Sequence, residues 1–64
     1  MTISELRKVV KQTIIAQGGK LYGFNINNIQ AAYGVNYSQV QDAISYFAYS
    51  PQQAKFRAAY NFHN

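Results

Sequence analysis

Cysteine is absent from the chain, which removes disulfides and thiolate metal sites together. Long apolar runs are absent too, and no stretch approaches the roughly eighteen residues that a membrane span requires. The N-terminus shows no basic region followed by an apolar core, so the expectation is a cytoplasmic protein with no membrane partner. Acidic residues are scarce, Glu5 and Asp42 being the only two, and the other titratable groups are His63, lysines, arginines and hydroxyls. Catalysis needs titratable groups that can converge, and this set supplies no triad, acid pair or metal cluster. His63 lies near the end of the sequence, where order is least expected. Gly18-Gly19-Lys20 lacks the spacing and the hydroxyl residue of a phosphate-binding loop. Neither enzymatic activity nor a cofactor is therefore expected. Gln39, Gln41, Gln52 and Gln53 are scattered between apolar residues, so nothing reads as low complexity, linker or repeat.

What remains is a 64-residue chain with six basic and two acidic residues, a net charge of +4. Residues 1–64 form one domain, and a chain this short buries only about 60% of its unfolded surface. Without disulfide or metal, an oligomer or bound nucleic acid is the natural support. Net positive charge fits a polyanion. Its placement is more informative: Arg7, Lys8, Lys11 and Lys20 come early, Lys55 and Arg57 late, and Asp42 is the only charged residue between Leu21 and Ala54. A DNA-binding protein with this pattern grips phosphates from its flanks and reads bases with a neutral centre.

That centre, Ile26 to Ser45, is patterned as two helices around a corner. Ile29, Ala32 and Tyr33 recur at helical spacing, Gly34 follows, and Val40, Ala43, Ile44 and Phe47 make a second helical period. Gly34 suits a corner because the residue after a helix often adopts the left-handed conformation, which costs glycine nothing. Asn36 caps the second helix with Gln39 as the return partner of a capping box, and Val35 and Val40 form a hydrophobic staple across it.

The tract Ala32-Tyr33-Gly34-Val35-Asn36-Tyr37-Ser38-Gln39-Val40-Gln41-Asp42-Ala43-Ile44 resembles the helix-turn-helix of small phage repressors and the Cro protein. It departs from that pattern at Gln30, where the family usually has alanine. The resemblance implies a sequence-specific double-stranded DNA-binding protein, either a small transcriptional regulator or a recombination or architectural factor of a phage, plasmid or bacterium. The bland reading of the same spacing is an ordinary helical hairpin.

Thr2-Ile3-Ser4-Glu5 is a capping box that opens a first helix from Ile3 to Ala16 or Gln17, with Ile3, Leu6, Val10 and Ile14 on one face, Val9 and Thr13 widening it, and Gly18-Gly19 ending it. Lys20 to Phe24 is short and aromatic, so a strand is expected there before Asn25 opens the second helix. That strand favours a winged variant: Phe56, Ala58, Tyr60 and Phe62 alternate as in a C-terminal β-hairpin, with Lys55 and Arg57 on the other face. The expected fold is therefore mainly α with a small β element, three helices and a C-terminal wing. The alternative is an all-α, four-helix domain, because Ser50-Pro51-Gln52-Gln53 is also a helix start and Ala54, Ala58 and Ala59 favour helix.

On this scheme the helix over 36–47 enters the major groove and presents Tyr37, Ser38, Gln39, Gln41, Asp42 and Ser45 to the bases. Gln41 can bond adenine in two places, Ser38 and Ser45 can donate or accept, and Asp42 can accept from the cytosine amino group. Phosphates fall to Lys20, Asn28, Gln30, Asn36, Lys55 and Arg57, with Arg7, Lys8 and Lys11 on the first helix able to approach the backbone. For each of these side chains the competing reading is a solvated surface. One small module is rarely selective enough, so a homodimer or cooperative array is expected, joined through the first helix or through tyrosines among Tyr22, Tyr46, Tyr49 and Tyr60. The rival function is a protein-binding adaptor or inhibitor on the same scaffold, which the neutral, aromatic middle and Asp42 favour.

Overall fold

The computed structural model describes residues 1–63, the side chains of Phe24 and Asn25 apart. Helices α1 (Ile3–Ala16), α2 (Phe24–Tyr33) and α3 (Tyr37–Tyr49) are followed by a 3-10 turn (Pro51–Gln53) that leads into a short α4 (Ala54–Ala59). α1 packs on both α2 and α3, α2 packs on α3, and the 3-10 turn and α4 pack on α3. No helix among the described residues is long and apolar enough to cross a membrane.

Local signals set the helix ends. At the start of α1 the Glu5 N–H donates to Thr2 Oγ1 (3.1 Å) and the Thr2 N–H to Glu5 Oε1 (3.2 Å), so the capping box satisfies one backbone donor on each side of the first turn. Past Gln17 the chain turns through Gly18 and Gly19, both at positive φ (73° and 95°). α2 begins at Phe24 with Gly23 in the cap position and no side-chain cap; the side chain of Asn25, expected to open this helix, lies outside the described residues. Gly34 ends α2 in the left-handed conformation (φ 65°, ψ 28°), and Asn36 and Gln39 exchange both capping-box hydrogen bonds at 2.9 Å.

The core is Leu6, Val10 and Ile14 from α1, Leu21 from the connection, Ile26 and Ile29 from α2, and Val40, Ala43, Ile44 and Phe47 from α3. Ile14, Ile44, Val10 and Val40 are enclosed almost completely, each worth about 1.5–3 kcal/mol relative to exposure. Val35 is half-buried against this core, consistent with its place opposite Val40 in a staple. The apolar faces are narrower than their periodicity suggests. Ile3 is 73% exposed, Leu6 being the first buried residue of α1, and Ala32 and Tyr33 are exposed at the end of α2. Gln30 is half-buried while Ala31 and Ala32 are exposed, so the departure from the repressor pattern is absorbed at the edge of the core.

The expected wing is replaced by helix. Residues 50–62 contain no strand, and the only β feature among the described residues is an isolated parallel bridge between Lys20 and His63. Pro51 at the first position of the 3-10 turn and the alanines that follow supply the helical start. Alternation misleads because Phe56 and Tyr60 are also helical neighbours, four residues apart, and they stack on one face of α4. The all-α alternative is the one that agrees with this architecture. The bridge also engages His63, near the end of the sequence where order was least expected: the Leu21 N–H donates to the His63 carbonyl (2.7 Å) and the His63 N–H to the Gly19 carbonyl (2.8 Å).

Candidate nucleic-acid interface

α2 and α3 meet at the Gly34 corner and pack on each other, and α1 packs on both. On an α-helix, residues 38, 42, 45 and 49 follow one another at spacings of four, three and four and share a stripe. In α3 that stripe is Ser38, Asp42, Ser45 and Tyr49, and it lies opposite the buried Val40, Ala43, Ile44 and Phe47. Ser38, Gln41, Asp42 and Tyr37 are exposed, and Ser45 is half-buried. Tyr49, 71% exposed, extends the stripe by one turn and belongs with these candidate base contacts. Its spacing from Ser45 was available in the sequence, but tyrosine is more often a core or interface residue there.

Gln39 differs from the other expected readers. Its side-chain oxygen accepts from the Asn36 N–H, and it lines a cleft of about 320 Å3 between the start of α1 and α3, together with Met1, Ile3, Leu6, Arg7, Val35, Asp42 and Ala43. Gln39 therefore supports the cap, and Asp42 stands where this cleft meets the stripe.

The structure divides the expected phosphate contacts into two groups. Arg57, assigned to the wing, donates from one guanidinium nitrogen to the carbonyls of Phe47 (2.8 Å) and Ser50 (2.6 Å). These carbonyls end α3, so the cation satisfies acceptors that a helix leaves open and faces the negative end of its dipole. Arg7 lies over the Tyr46 ring at 3.8 Å and Lys11 over the Phe56 ring at 3.5 Å, which makes both packing elements as well as charges. Asn36 is engaged as the cap of α3. Asn28 lines a second cleft, about 390 Å3, between α1 and α2 with Val9, Thr13, Ile29 and Tyr33, and Gln30 is half-buried. Lys8, Lys20 and Lys55 are exposed.

Of the tyrosines expected at an interface, Tyr22 and Tyr46 are half-buried against the core, the Tyr46 hydroxyl oxygen also accepting a hydrogen bond from Gln53 Nε2 at 3.1 Å, while Tyr49 and Tyr60 are exposed. No protein-family model matches the chain, and neither a curated protein nor a solved structure is significantly similar to it.

Proposed function

We propose that the chain binds double-stranded DNA by placing α3 in the major groove, as a small cytoplasmic regulator of transcription or a recombination or architectural factor. The observation that carries this is a helix set at a left-handed glycine corner, capped at its start, buried along one face, and presenting Ser38, Asp42, Ser45 and Tyr49 with Gln41 beside them on the other. A major groove about 12 Å wide admits such a helix, and polar side chains of these types bond base edges. Lys8, Lys20 and Lys55 are the cations available for phosphates. Three such contacts give a slope of about −3 in the logarithm of affinity against the logarithm of salt. Selectivity is supplied by a homodimer or by cooperative binding to repeated sites.

A second reading, a protein-binding adaptor, is favoured by one observation: Met1 and Ile3, 55% and 73% exposed, stand beside the apolar floor of the α1–α3 cleft. Salt separates the two functions, since an apolar protein contact responds little to ionic strength. The test is fluorescence anisotropy with random-sequence duplex DNA across a salt series, repeated with Lys8, Lys20 and Lys55 all changed to alanine. Steep salt dependence that flattens in the triple variant supports DNA binding. No binding at low salt overturns it and directs attention to a protein partner.

A further inference from the structure

Three aromatic rings stand in a row at the C-terminal end of the described chain. Phe56 and Tyr60 have ring centroids 6.5 Å apart and planes 9° from parallel, and Tyr60 and Phe62 follow at 6.1 Å and 30°. Phe56 is 38% and Tyr60 43% exposed, while Phe62 is half-buried against the core and fixes the end of the row. One lysine lies on it, and two others are its neighbours along the backbone. Lys11 Nζ lies over Phe56, Lys55 precedes Phe56 and is exposed, and the exposed Lys20 is bridged through its backbone to His63, the neighbour of Phe62. The two acidic residues are elsewhere: Glu5 is bonded to Thr2 in the first turn of α1, and Asp42 lines the cleft beside Met1 and Ile3.

We propose that this surface is a stacking platform for unpaired bases, so that the protein holds a short single-stranded nucleic acid with a base on Tyr60 and phosphates near Lys20 and Lys55. Every base has a π-face, and aromatic side chains flanked by cations are how proteins hold single strands without reading their sequence. A duplex does not fit, because its base faces are stacked on one another. A second copy of the chain is disfavoured, since a two-fold contact through this patch sets lysines against the same lysines with no acidic side chain between them among the described residues. The rings of the platform lie off the α3 stripe, while Lys20 and Lys55 are shared with the duplex-binding proposal, so Tyr60→Ala is the variant that separates the two: it is expected to weaken oligodeoxythymidine binding and leave duplex affinity unchanged.

The chain contains no tryptophan, so Tyr60→Trp installs a single emitter in the middle of the row. Titration of that variant with a short oligodeoxythymidine at low salt is expected to quench the emission saturably, with added salt reversing the effect. Tyr60→Ala is expected to weaken oligodeoxythymidine binding by about fivefold to about 150-fold, the range set by losing one base–aromatic stack. Tyr60→Phe, which keeps the ring, is expected to bind like the wild type, and a far-ultraviolet circular dichroism spectrum and melting of Tyr60→Ala like those of the wild type distinguish a stacking role from loss of fold. No quenching and no binding at low salt overturns the proposal, as does equal affinity of the alanine variant and the wild type. Concentration-dependent self-association that Tyr60→Ala abolishes, without oligonucleotide binding, also overturns it in favour of an interface between copies.

Discussion

Changing Arg57 to alanine separates a structural cation from a DNA-contacting one. The guanidinium nitrogen that donates to Phe47 and Ser50 at 2.8 and 2.6 Å joins α4 to the end of α3. A hydrogen bond made by a charged donor is worth about 1.5–3 kcal/mol, and a cation at a helix C-terminus adds about 0.3–1 kcal/mol. These contributions overlap, water replaces part of what is lost at a half-buried site, and the net cost of Arg57→Ala is expected to be about 2–4 kcal/mol. For 64 residues the whole stability is about 3–10 kcal/mol, so the loss is a large share of it. Unfolding in urea and by heat, followed by far-ultraviolet circular dichroism, should show a Tm lower by roughly 8–30 °C at about 4–8 °C per kcal/mol. Arg57→Lys keeps the charge near the dipole and should recover about 0.3–1 kcal/mol of the loss. A variant within about 0.5 kcal/mol of the wild type, the range of ordinary surface substitutions, would refute the capping role. Were Arg57 instead a phosphate contact, stability would hold and only duplex affinity would fall.

Gly19→Ala should cost about 2–4 kcal/mol, because the added Cβ combines a positive φ of 95° with contact against the backbone carbonyl oxygens of Tyr60 and Asn61; Gly18→Ala, at φ 73° with open space around it, should cost only about 1 kcal/mol. Hydrogen exchange checks the same point, since the Leu21 and His63 amides should lose protection in Gly19→Ala while those of the core helices keep theirs. Hydrogen bonding from Thr2, its side chain first and its backbone N–H second, holds the Glu5 carboxyl below the usual glutamate range. A depressed folded-state pKa means that the stabilisation is present above the ordinary glutamate value and is lost as pH falls through the lower one, so the N-terminal turn of α1 should loosen only in that acidic window. Thr2→Ala should return the Glu5 titration, followed by NMR, toward its ordinary value; an unchanged titration would exclude the capping box as the cause. Asp42→Asn should strengthen binding to random duplex DNA and reduce the preference for a specific site, whereas unchanged affinities for both would remove Asp42 from the interface.

Helix ends and the α3 core were legible in the sequence because both are local. A capping box occupies four consecutive residues, as Thr2 to Glu5 and Asn36 to Gln39 do, and the burial of Val40, Ala43, Ile44 and Phe47 follows from a helical period with a polar opposite side. Tertiary contacts decided what local pattern left open. Phe56, Ala58, Tyr60 and Phe62 satisfy a strand period, and Phe56 and Tyr60 also satisfy a helical one; Pro51 and the alanines start a helix there, an arginine of that helix reaches across to the open carbonyls of α3, and the backbone of Gly19 and Leu21 takes up His63 in a lone bridge. Ile3 and Tyr33 carry apolar periodicity yet stay exposed, because periodicity fixes which way a side chain points and only the neighbouring helices fix whether anything covers it. The roles of the cations were the least legible: Arg7 on Tyr46, Lys11 on Phe56 and Arg57 on α3 each meet a partner on another element of the fold, and a one-dimensional reading of charge contains no such distances.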